Sequence, residues 1–74
     1  MDKRTLQQYL AQAEDHIDGA RLRIERQTRL AGQLKADGHD TAMAEQLLKQ
    51  FKDTLRTLQT DRDMIADLLR LAEK

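Results

Sequence analysis

Apolar residues recur along the first half of the chain at alternating spacings of four and three residues. These positions are Leu6, Leu10, Ala13, Ile17, Ala20, Ile24, Gln27, Ala31 and Leu34, with Gln27 as the polar exception. The alternation is typical of the a/d positions of a coiled coil, which form one narrow seam along a helix. The pattern therefore predicts a first helix over about residues 3–37.

The second half of the chain repeats the same spacing over about residues 41–73. Its seam positions are Ala44, Leu48, Phe51, Leu55, Leu58, Arg62, Ile65, Leu69 and Ala72, with Arg62 as the polar exception. Leu, Ala, Gln, Glu, Lys and Arg dominate both halves and proline is missing, which favours uninterrupted helices. The second half is therefore predicted to form a second long helix.

The two predicted helices are separated by one strong helix-breaking segment, a turn over about residues 38–40. Gly38 can adopt the left-handed conformation that ends a helix, and Asp40 or Thr41 can cap the helix that follows. At the other end of the chain, Asp2 can cap the first helix, or Thr5 can do so as part of a capping box. The sequence thus predicts an all-α fold, an antiparallel two-helix coiled-coil hairpin in a single domain of residues 1–74.

Folding the chain back at Gly38 places small seam residues opposite large ones. Ala13 then lies opposite Ile65, and Ala20 lies opposite Leu58. Such complementarity is what two closely packed helices need.

A second set of positions immediately precedes the a positions of both seams, and we call it the g-flank. It consists of Tyr9, His16, Arg23 and Leu30 on the first helix, and of Leu47, Thr54, Asp61 and Leu68 on the second. The g-flank is apolar at both ends and polar in the middle, whereas the opposite flank is overwhelmingly polar. A lone hairpin buries little apolar surface, so we expect the g-flank to lie against another surface.

A two-fold contact with a second copy satisfies the g-flank by laying each end against the other end of its partner. The sequence therefore predicts a homodimeric four-helix bundle. The alternative is a small regulatory or adaptor subunit whose g-flank docks on a larger protein. Four further apolar residues, Leu22, Met43, Met64 and Leu71, either extend this surface or are isolated surface residues.

Gln27 and Arg62 place polar groups in the core seam. Arg62 can reach Glu14, Asp18 or a neighbouring subunit, and polar core residues of this kind commonly determine register or oligomeric state. An anion site or a partner-helix site at Arg62 is the less favoured interpretation.

His16 and Asp61 form the one pair in the sequence with the character of a general acid or base and its orienting carboxylate. The chain has no Ser and no Cys, so no nucleophile accompanies this pair. We expect an interfacial ion pair, and a protein that is not an enzyme and has no catalytic residues. The acidic and histidine spacings suit no metal site, and we expect no metal and no cofactor.

The charge balance disfavours two classes of binding partner. The chain has 13 Lys and Arg against 13 Asp and Glu in 74 residues, and a nucleic-acid or acidic-membrane binder usually has a basic excess. Arg21, Arg23, Arg26 and Arg29 are the strongest basic feature, but they spread around the helix. We expect no nucleic-acid partner and no membrane partner, no signal peptide or membrane span, and a cytoplasmic location.

A set of residues between His16 and Ile65, which includes Gln27, Gly38 and Arg62, resembles a family of small uncharacterised helical-hairpin proteins of proteobacteria. The family is found especially among alphaproteobacterial rhizobia. The similar segment covers about residues 9–69 and reads HIDGARLRIERQTRLAGQLKADGHDTAMAEQLLKQFKDTL at its centre, with the turn GHDT as its most specific part. The resemblance implies a small cytoplasmic helical protein and no activity. It draws attention to His16, Gln27, Asp40 and Arg62. Taken with the pattern, the sequence predicts a non-enzymatic protein–protein interaction module.

Overall fold

The computed structural model describes residues 2–73 and contains two α-helices joined by one turn. Helix α1 spans Lys3–Ala36 and helix α2 spans Ala42–Ala72. The helices pack side by side in an elongated hairpin of 57 × 14 × 13 Å. Lys3 Nζ lies 3.9 Å from Glu73 Oε1 at the open end of the hairpin, which shows that the two helices are antiparallel. The predicted all-α hairpin is confirmed.

Helix α1 begins at the first of the two caps that the sequence allows. The carboxylate of Asp2 accepts a hydrogen bond of 2.8 Å from the backbone N–H of Thr5. This bond satisfies one of the amide groups that have no partner in the first turn of a helix, and it holds the pKa of Asp2 below its usual range.

The turn between the helices depends on Gly38, which has a φ of 79°. With Gly38 left-handed, the N–H of His39 donates to the carbonyl of Leu34 at 2.9 Å and the N–H of Gly38 donates to Lys35 at 3.1 Å. This pair of bonds is a Schellman motif. Asp40 then accepts a hydrogen bond of 2.9 Å from the N–H of Ala42, so Asp40 rather than the Thr41 hydroxyl supports the start of α2.

The predicted seams form the contact between the helices. Every seam position of α1 is buried or half-buried, and those of α2 are half-buried except for Ala72, which is exposed at the end of the helix. Among residues 2–73, only Leu6, Ile17 and Gln27 are buried. Two helices cover each other along one side only, so the hairpin has a contact line rather than an enclosed core.

The apolar character of the helices is confined to this seam and a few surface positions. Neither helix in the described part of the chain is long and apolar enough to cross a membrane.

Candidate interaction surface

All eight residues of the g-flank are exposed. Its four apolar members are large, and their exposed fractions are 44% for Tyr9, 45% for Leu30, 40% for Leu47 and 51% for Leu68. Tyr9 and Leu68 belong to the open end of the hairpin, whereas Leu30 and Leu47 belong to the turn end. The surface therefore has an apolar area near each end of the rod.

The turn end of this surface is larger than the g-flank alone. Met43 is 85% exposed and lines a shallow depression together with Leu47 and Gln50. Met43, one of the four additional apolar residues named from the sequence, thus lies beside the g-flank in a shared depression. Leu22, Met64 and Leu71 are exposed as well.

His16 and Asp61 lie on the same part of the surface. Both line a shallow depression whose other walls include Tyr9, Ala13 and Ile65. Within residues 2–73, no ion pair joins the imidazole of His16 to the carboxylate of Asp61. The predicted interfacial ion pair stays a prediction for an assembled dimer.

Arg23 occupies the middle of the g-flank beside Thr54. Its guanidinium carbon lies 5.6 Å from the centre of the Phe51 ring, a distance at which a cation is attracted to an aromatic face. Arg23 and Thr54 share a second depression with Ala20 and Phe51. Phe51 is half-buried in the seam, so Arg23 shields one side of a seam residue from water.

Arg62 contacts Glu14, one of the three partners expected for it. Its Nη1 lies 3.3 Å from Glu14 Oε1 on the other helix, and its Nε lies 2.6 Å from Asp63 Oδ1. The hydrogen bond to Asp63 is the main reason why the pKa of Arg62 lies above its usual value, and the hydrogen bond to Glu14 raises the pKa further. The Arg62 side chain is 26% exposed, so it sits at the edge of the seam with its charge paired at the surface.

Asp63 is a partner that the sequence analysis did not identify. Its position next to Arg62 was the available signal, but neighbouring residues on a helix point in different directions. The side chain of Arg62 is long enough to reach the carboxylate of Asp63 in spite of this difference in direction.

Gln27 is the buried polar residue of the seam, with 9% exposure. Its side-chain Nε2 donates a hydrogen bond of 3.0 Å to the backbone carbonyl of Ala44. Folding the numbering back at the turn places Phe51 rather than Ala44 opposite Gln27. Ala44 lies seven residues closer to the turn than Phe51, about 10 Å along α2, so the partner of Gln27 is not the residue that the folded numbering predicts.

Two of the four arginines singled out on α1 have a side-chain partner in the hairpin. Arg29 pairs with Glu25, four residues earlier on its own helix, at 3.4 Å, and Arg23 contacts Phe51. In the same described range, Arg21 forms no ion pair with Asp18.

Comparison of the chain with family models, with curated proteins and with solved structures finds no match. The resemblance to a proteobacterial family stays a prediction.

Proposed function

We propose that the protein is a protein–protein interaction module that associates with a second copy of itself through the g-flank, forming a four-helix bundle. One observation carries this proposal. The hairpin buries only two apolar side chains among residues 2–73, Leu6 and Ile17, while it exposes four large apolar side chains in two areas of a single face. Exposed apolar areas of this kind mark interaction surfaces.

A second copy suits this face because the contact is self-complementary. Each hairpin has an apolar area at both ends and polar residues between them, so one two-fold operation covers all four areas at once. The product is a bundle in which four helices surround a common core, the usual way in which helices of this length bury their apolar surface.

The expected affinity is modest. Tyr9, Leu30, Leu47 and Leu68 are already about half covered, so burying the rest contributes about 1 kcal/mol for each side chain. Two copies supply eight such side chains, a gain comparable with the cost of association, which is about 4–15 kcal/mol. We therefore expect a dimer that dissociates on dilution and whose thermal stability rises with concentration.

The test is sedimentation equilibrium over a wide concentration range, with circular dichroism on the same samples. The wild-type chain is expected to reach twice its 8.6 kDa mass, and Leu47→Glu is expected to be a helical monomer. Leu22→Glu is the matched control, because Leu22 is 44% exposed against 40% for Leu47 but lies outside the g-flank. A wild-type chain that stays a helical monomer throughout contradicts self-association and indicates a different protein as the occupant of the g-flank.

A further inference from the structure

The orientation of the second copy follows from the charges in the middle of the g-flank. Two hairpins facing each other through this flank can place their turns at the same end of the bundle or at opposite ends. Both arrangements cover the apolar areas, since each area meets another apolar area in either case. The apolar residues therefore do not distinguish the two orientations, and the polar centre must do so.

The polar centre consists of two layers across the hairpin. One contains His16 and Asp61, and the other contains Arg23 and Thr54, as their shared depressions indicate. Seven residues separate the layers along each helix, or about 10 Å. The first layer contains the only carboxylate of the polar centre, that of Asp61, and the second contains its only guanidinium, that of Arg23.

With the turns at the same end, each layer meets its own counterpart. Two copies of Arg23 then share a layer that contains no carboxylate, and two copies of Asp61 share the other. Like charges brought together in a partly dehydrated interface are unfavourable.

With the turns at opposite ends, each layer meets the other one. Leu30 then lies against Tyr9 of the second copy, and Arg23 enters the layer that holds His16 and Asp61 of the second copy. Thr54 lies opposite that same Asp61, and its hydroxyl can donate to the carboxylate. Each mixed layer contains one guanidinium and one carboxylate, and two-fold symmetry produces the pair twice.

We infer that Arg23 of each copy pairs with Asp61 of the other, and that this pair of ion pairs orients the dimer with its turns at opposite ends. The inference rests on the proposed self-association. Arg23 is suited to this role because it is exposed on the g-flank and is already held at the surface of Phe51. In the described hairpin, neither Arg23 nor Asp61 forms an ion pair within its own copy.

A charge-exchange cycle tests the pair by sedimentation. Arg23→Asp and Asp61→Arg are each expected to raise the dimer Kd by at least about tenfold, as loss of a close charge pair does. The double variant R23D/D61R restores opposite charges in each mixed layer, so its Kd is expected to return to within a few-fold of wild type. Arg21→Asp, which makes the same charge change on the opposite flank, is the control.

The outcomes separate the two proposals. A wild-type dimer whose double variant stays as weak as the single variants overturns the orientation but leaves self-association standing. A wild-type monomer overturns both.

Cysteine cross-linking gives a second measurement that does not depend on charge changes, since the chain has no cysteine of its own. Opposite-end packing predicts a disulfide in a mixture of Leu47→Cys and Leu68→Cys chains. Same-end packing predicts one in a mixture of Leu47→Cys and Leu30→Cys chains. In each orientation, the two cysteines that only the other orientation would join are about 30 Å apart. A disulfide between Leu47→Cys and Leu30→Cys, with none between Leu47→Cys and Leu68→Cys, therefore contradicts the inference.

Discussion

Gln27 and Leu30 lie three residues apart on α1 and reverse the usual preference for burying apolar residues and exposing polar ones. The polar glutamine is 9% exposed, whereas the apolar leucine is 45% exposed. Gln27 occupies the seam and Leu30 occupies the g-flank, so the position in the heptad decides burial and the residue type does not. A single hairpin therefore covers its seam by itself and leaves its g-flank exposed.

The largest effect is expected where the seam is fully enclosed. Ile17 has 0% exposure, and Ile17→Ala should lower the free energy of unfolding by about 2–5 kcal/mol. In a hairpin with so small a core, this loss should unfold much of the population. Leu30→Ala, on the g-flank, should keep the helix content of dilute samples and weaken association instead. Thermal unfolding followed by circular dichroism at two concentrations distinguishes the two effects, and equal losses in dilute samples would contradict the division between seam and g-flank.

A second experiment asks whether the seam needs its polar residue. Gln27→Leu removes a buried amide and its bond to Ala44, and the carbonyl of Ala44 keeps its place within α2. We expect stability to be unchanged or raised by up to about 2 kcal/mol, since an apolar residue of similar size replaces a buried polar one. Gln27→Ala should instead lower the melting temperature. If Gln27→Leu destabilises the chain as much as Gln27→Ala, the hydrogen bond to Ala44 is essential for packing.

The turn differs from the helices in what it requires of glycine. Gly38→Ala places a Cβ on a backbone with a φ of 79° and should cost about 1 kcal/mol. Gly32→Ala lies within α1 with open space around the new Cβ and should stabilise the helix by about 0.5–1 kcal/mol. Chemical denaturation of both variants should show opposite signs, and stabilisation by Gly38→Ala would argue against the Schellman turn.

The smallest effect concerns the cap of α1. Because the pKa of Asp2 is lowered by the Thr5 N–H, its ionised form stabilises the folded state above the unfolded pKa. That contribution should decline as the pH falls below about 4 and through the lowered folded pKa. Asp2→Asn keeps the cap without the titration, so melting temperatures of the two proteins between pH 2 and 6 should converge at low pH. A constant difference across this range would exclude a role for the Asp2 charge.

The helical architecture was predictable because heptad spacing and turn chemistry are local. The spacing of the seam residues predicts the contact between the helices, from Leu6 to Leu34 and from Ala44 to Leu69. Gly38 predicts the turn. Ala72 was predicted as a seam position but is exposed, because it is the last residue of α2, where the seam ends.

Individual partners were less predictable, because long side chains choose among several neighbours. The sequence offered three possible partners for Arg62, and the structure places it against Glu14 and Asp63. The contact of Arg23 with Phe51 was not anticipated either. These choices depend on the exact offset of the two helices, which spacing along the chain does not specify.

Local features of the chain specify that two amphipathic helices form, where they end and which stripe they share, since helix propensity and heptad periodicity act over a few residues. The tertiary structure decided how thin the resulting core is and which side is left uncovered. It also decided that Gln27 finds a backbone partner at Ala44. Such outcomes depend on how two helix surfaces meet in space, and burial is a property of that meeting rather than of either helix alone.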